Sequence, residues 1–162
     1  MPTVFALVLL ANALPAATGP AARVRGFSHS DTSVIAEAVD RARHRLGEPV
    51  CQRVFQEFSD ETGTTLKARL AAQGLTPQSA LDQVFFYDGS SRRLCAKENL
   101  AFTEPGSHVI QLCARRFVDP RNGHLRSAVV IHELLHAAGL GEGGRFPSSG
   151  QITTHVRWRC GP

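Results

Sequence analysis

An α+β fold is what this sequence predicts: a small mixed sheet packed on one apolar helix, with a few further helices around it. Three observations carry that expectation. Val34, Ile35, Ala38, Val39, Ala42 and Leu46 recur at helical spacing with charges between them, which marks an amphipathic helix over residues 32–46. Residues 84–87 and 108–113 are short runs rich in aromatic and β-branched side chains, the second with alternating apolar positions. Leu125, Ala128, Val129, Ile131, Leu134, Leu135 and Ala138 give a further helix an apolar surface, while His132, Glu133 and His136 project together from another side.

The elements follow in order. Residues 4–14 are apolar and uncharged, and small residues and prolines follow them. That is the outline of a secretory signal peptide over residues 1–22, with cleavage after Ala17 or Ala22, although no Lys or Arg precedes the apolar run. The run is too short to span a bilayer, and no other stretch is suited to it. Residues 23–162 form a single domain of ordinary apolar content. Within it, 23–31 read as a linker or a short extended start. Asp31 is a suitable N-cap for the first helix, Gly47 a stop, and Pro49 a barrier beyond it. Residues 50–58 suit strand or helix, with Phe55 and Phe58 in the core. Residues 64–73 read as a helix stopped by Gly74, and Thr76-Pro77 opens a short helix reaching 81–83. Asp88-Gly89 turns the chain after the first strand, and 92–96 is the expected hairpin partner. Gly143, Gly144 and Pro147 form a loop, after which Ser148 or Ser149 caps a last helix over 150–159 carrying His155.

Residues 132–136 spell H-E-x-x-H. Positions i and i+4 of a helix lie on one face, so two imidazoles can converge on one cation with Glu133 beside them. Zinc accepts neutral imidazole and carboxylate ligands, and a catalytic site leaves one position for water. A carboxylate one residue after the first histidine is placed to take a proton from that water. A glycine at 139 suits the left-handed conformation that ends a helix.

The continuation His132-Glu133-Leu134-Leu135-His136-Ala137-Ala138-Gly139-Leu140-Gly141-Glu142 resembles the extended H-E-x-x-H-x-x-G-x-x-H motif of the metzincin metallopeptidases. It is also similar to small secreted bacterial zincin-like proteins with an H-E-L-L-H-x-x-G-L-G-E core. Two departures stand out: Glu142 occupies the third-ligand position, and the methionine turn is missing, since Met1 is the only methionine. The resemblance implies a zincin-like fold and a Zn²⁺ cofactor held by His132, His136 and Glu142. It further implies a zinc-dependent peptidase in which Glu133 is the catalytic base and a peptide or protein is the substrate. His155 is an alternative third ligand, and a more distant glutamate, as in gluzincins, another. His155 is also a candidate donor to the developing oxyanion, with Tyr87 and Arg145 as rivals. By position, the 108–113 strand resembles the zincin edge strand, which lines the cleft and pairs with extended substrate. A catalytically inactive, zinc-stabilised binding module is the alternative.

Cys51, Cys95, Cys113 and Cys160 have no C-x-x-C spacing and read as two disulfides of an exported domain. Cys95 and Cys113 sit near the ends of expected neighbouring strands, which leaves Cys51 for Cys160. Secretion, or residence in the periplasm or cell envelope, follows from that pattern together with the signal peptide. The net charge of +4 comes from 16 Arg against 2 Lys, scattered in pairs without a basic helix, so a nucleic-acid partner is not expected. Nor is stable membrane insertion, and the expected state is a monomer. His29, His44 and His108 read as surface residues, and His124 lies before the apolar helix.

Overall fold

The computed structural model describes residues 21–161, so the expected signal peptide lies outside it except for Ala21 and Ala22. Strand β1 (Arg23–Arg25) leads into helix α1 (His29–Leu46). Two short helices, α2 (Pro49–Gln52) and α3 (Val54–Glu57), follow, then α4 (Leu66–Ala72) and α5 (Pro77–Leu81). Strands β2 (Phe85–Asp88), β3 (Ala101–Phe102) and β4 (Val109–Leu112) complete the sheet. Helices α6 (Ala114–Phe117), α7 (Arg126–Ala137) and α8 (Ser149–Cys160) close the chain. The fold is α+β, as the sequence predicts.

The sheet has the order β1-β2-β4-β3. β1 and β4 flank β2 in parallel, and β3 runs antiparallel to β4 through Ala101–Leu112 and Phe102–Gln111 pairs. Two expectations are corrected here. Residues 92–96 form no hairpin strand: Arg93–Ala96 is a 3-10 turn. The reason is local, because Asp88 accepts from the Ser90 amide at 2.8 Å and turns the chain away. The Gly89 amide then spends itself on the Leu112 carbonyl at 2.8 Å. Nor is the 108–113 strand an edge. β4 lies between β2 and β3, and the edges are β1 and β3.

Local chemistry explains the helix ends. Ser28, not Asp31, caps α1: its hydroxyl accepts from the Asp31 amide at 3.1 Å, and Asp31 falls in the first turn, where its charge suits the helix dipole. Residues 50–57, ambiguous in sequence, form the two short helices α2 and α3, Phe58 is extended, and Phe55 and Phe58 are buried. Thr76 and Ser79 form a capping box at α5, as do Ser148 and Gln151 at α8.

Helix α7 is the centre of the molecule. It touches α1, α8, β3 and β4, and Ile131, Leu134 and Leu135 are at most 1% exposed. Burying each such side chain stabilises the fold by about 1.5–3 kcal/mol. Arg126, at the start of α7, donates to the carbonyls of Phe117, Val118 and Asp119 and so fixes where the helix enters. Disulfides join Cys51 to Cys160 and Cys95 to Cys113, the expected pairing. The first ties α2 to the end of α8; the second ties the 3-10 turn to the end of β4. Both fit an oxidising, extracellular-type environment. Among the described residues no helix is long and apolar enough to cross a membrane.

Candidate metal centre

One helical turn separates His132 from His136, and α7 carries both into a buried position, each about 5% exposed. Their Nε2 atoms lie 3.0 Å apart. The third group arrives through the chain reversal after α7. Gly139 adopts φ +110°, its amide bonds the His136 carbonyl, and the Leu140 amide bonds the Leu135 carbonyl. This paired closure ends the helix in a left-handed residue, which glycine tolerates best. An added Cβ at Gly139 would also meet the Arg69 guanidinium at 3.0–3.1 Å. Gly141 is needed for space: a Cβ there would lie 2.5 Å from the Phe146 ring. That close packing leads the loop round and delivers Glu142.

Glu142 Oε2 stands 3.3 Å from His136 Nε2 and 3.9 Å from His132 Nε2. Three donor atoms about 2.0–2.1 Å from a tetrahedral ion would be about 3.3 Å apart. The observed triangle of 3.0, 3.3 and 3.9 Å brackets that value. His132, His136 and Glu142 therefore form a group that could hold a metal ion. More distant glutamates do not join it. Glu142 itself is about half exposed, at 45% of its side chain.

The protonation of the rings favours ligation. His136 Nδ1–H donates to the Leu140 carbonyl at 2.8 Å, which leaves its Nε2 lone pair facing the cluster. His132 Nδ1 lies 2.9 Å from the Thr153 hydroxyl on α8. Burial above all, with the neighbouring His136 ring as a smaller cause, pulls the His132 ring down to about 3, so it is neutral at ordinary pH.

Glu133 shares a cavity of about 310 Å³ with the three ligating residues, β3 and Thr103. Burial pushes its carboxyl up to about 8; the Thr103 hydroxyl opposes that, and the Glu142 charge adds to it. The hydroxyl favours the ionised form without completing a regular bond, for Thr103 Oγ1 and Glu133 Oε2 are both buried without a hydrogen-bond partner among the described residues.

His155 does not join the centre. Its Nε2 meets Glu57 Oε2 at 2.5 Å, and its ring packs edge-on against Phe58 and Trp158. The structure thus places His155, the alternative ligand or oxyanion donor, apart from the His132–His136–Glu142 group: the Glu57 carboxylate, shared with Arg159, holds the ring on the α3–α8 seam. Tyr87 and Arg145 also lie outside the cavity, Arg145 donating to the Glu61 carbonyl at 3.1 Å. His29, His44, His108 and His124 are exposed. Sequence reasoning missed Thr103, Thr153 and the Leu140 carbonyl. Only Thr153 left a trace, as a polar residue adjoining the buried Ile152 and Val156 stripe. The chain matches no protein-family model, no curated protein and no solved structure.

Proposed function

We propose that this chain is a secreted zinc-dependent peptidase of zincin type, with His132, His136 and Glu142 as zinc ligands and Glu133 as general base. The observation that carries the reading is the buried Glu133 carboxyl, whose Oε2 has no hydrogen-bond partner among the described residues, in a residue that lines one cavity with His132, His136 and Glu142. Three protein ligands rather than four favour an open, catalytic site over a closed structural one. When bound, zinc supplies a Lewis acid that polarises a carbonyl and brings the acidity of water near pH 7.

The chain's own residues do the rest. Glu133, on the cavity it lines with the three ligating residues, takes the proton of the attacking water in its ionised form and delivers it to the departing amine. His136, locked by Leu140, keeps its lone pair directed at the cluster. The edge role expected of the 108–113 strand passes to β3. Ala101, Phe102 and Thr103 line the same cavity, and the side of β3 away from β4 offers main-chain groups to an extended peptide.

The test is Glu133→Gln in purified mature protein, assayed for zinc content and for cleavage of a peptide library. The expected result is full zinc occupancy with hydrolysis reduced by at least about 10³-fold, in line with loss of the general base. Undiminished cleavage would remove Glu133 from the mechanism. Zinc uptake by the wild type with no cleavage of any peptide would leave the zinc-stabilised binding module in its place.

A further inference from the structure

We infer that Thr153 is the positioning residue for the metal ligand His132, and that helix α8 thereby forms the floor of the metal centre. The inference rests on the reading of His132, His136 and Glu142 as a metal site. Three observations support it. Thr153 Oγ1 lies 2.9 Å from His132 Nδ1, and no other hydrogen bond to that nitrogen is found among the described residues. α8 packs directly on α7. It is also fixed at both ends, by the Ser148–Gln151 capping box and by the Cys51–Cys160 disulfide.

The two ligand histidines are held by different chemistry. The Leu140 carbonyl can only accept, so His136 has one neutral tautomer available, with the proton on Nδ1. A hydroxyl both accepts and donates. Facing a metal-bound ring, Thr153 accepts from His132 Nδ1–H and leaves Nε2 free for the ion. With no ion bound, the hydroxyl can rotate and donate to Nδ1. His132 Nε2–H then donates to His136 Nε2, 3.0 Å away. Thr153 therefore satisfies the buried ring in both states and spares the site two lone pairs in collision. A carbonyl in its place would forbid the second arrangement; an apolar group would leave Nδ1–H unpaired in the first.

The test compares Thr153→Val and Thr153→Ser with wild type, measuring Zn²⁺ affinity by competition with a chromogenic chelator. Circular dichroism and melting of the metal-free forms run alongside. The expected result is a 10–100-fold weaker affinity for Thr153→Val, the range seen when an outer hydrogen-bond partner of a ligand is lost. Thr153→Ser should lie within about threefold of wild type. Tight binding by Thr153→Val, or equal weakening by the valine and serine variants, overturns the assignment. Should the valine variant not fold, ¹⁵N spectra of the zinc-loaded wild type decide: His132 must be protonated at Nδ1 and metallated at Nε2, and the reverse overturns it. Wild-type protein that takes up no zinc fails differently, because it removes the metal site itself.

Discussion

Glu142 and Asp60 are two acidic residues with different duties, and a substitution at each separates them. Glu142 is half exposed and touches the cluster only through its carboxylate, so Glu142→Ala should leave metal-free stability within about 0.5 kcal/mol of wild type. Its zinc affinity should fall by more than the roughly 10–100-fold given by outer hydrogen-bond partners. Calorimetric titration with Zn²⁺ checks this, and unchanged affinity would exclude Glu142 as third ligand. Asp60 works for the fold. Its carboxylate accepts from the Thr62 hydroxyl at 2.7 Å, the Thr62 and Thr64 amides, and Arg69 at 2.9 Å. The Thr62 hydroxyl above all, with Arg69, lowers it from 3.8 to about 2, and burial only partly resists. A depressed carboxylate stabilises the fold above its unfolded value, and that contribution is lost as pH falls from about 4 through about 2. Asp60→Asn should therefore be less stable than wild type at neutral pH. The two curves should converge towards pH 2 in urea titrations, and a gap that widens on acidification would contradict the assignment.

α7 and the loop after it build the candidate metal centre, and the loop is the more delicate of the two. α7 supplies His132, Glu133 and His136 through local periodicity alone, whereas Glu142 depends on residues 139–141 turning tightly. The Phe146 ring occupies the space a Cβ of residue 141 would need. Gly141→Ala must displace that ring, at about 1–3 kcal/mol by analogy with overpacked cores. It should also move Glu142 relative to the histidines. The expected outcome is a lower melting temperature together with weaker zinc binding; a variant with native values for both would show that the loop tolerates the clash. Gly143 and Gly144 take positive φ with open space around them, so conformation rather than crowding selects glycine there.

Across the whole molecule the disulfides differ in reach. Cys51–Cys160 spans 109 residues and Cys95–Cys113 spans 18. Loop-closure entropy then assigns about 5 kcal/mol to the first and about 3 kcal/mol to the second. Removing the long-range bridge as a double Ser variant should cost more stability than removing the short one. It should also weaken zinc binding, since it loosens the packing of α8, the helix that carries Thr153. Scanning calorimetry of both variants with and without a chelator checks the order. In wild type, zinc at 100 times its dissociation constant should add about 2.7 kcal/mol, which the chelator removes.

Much of this was legible in the chain because it depends on near neighbours. The 3.6-residue repeat places His132 and His136 on one face of α7 whatever surrounds them, and glycine at 139 announces the reversal. The amphipathic α1, the short α5 behind Thr76-Pro77 and the pairing of the cysteines were equally readable. Residues 92–96 misled because a short turn carrying Leu94, Cys95 and Ala96 resembles a strand until Asp88 and Gly89 spend their hydrogen bonds elsewhere. His155 misled because its partner, Glu57, is 98 residues away.

By itself, then, the sequence determined the longer helices α1, α7 and α8, and the two-histidine face with its carboxylate. Tertiary structure alone decided that β3 rather than β4 forms an edge, that Glu142 closes the triangle while His155 does not, and that Thr153 sits beneath His132. The division has one physical reason. Periodicity and capping are written in residues a turn apart, whereas a hydrogen-bond partner or a sheet neighbour is chosen by which distant surfaces the core brings into contact.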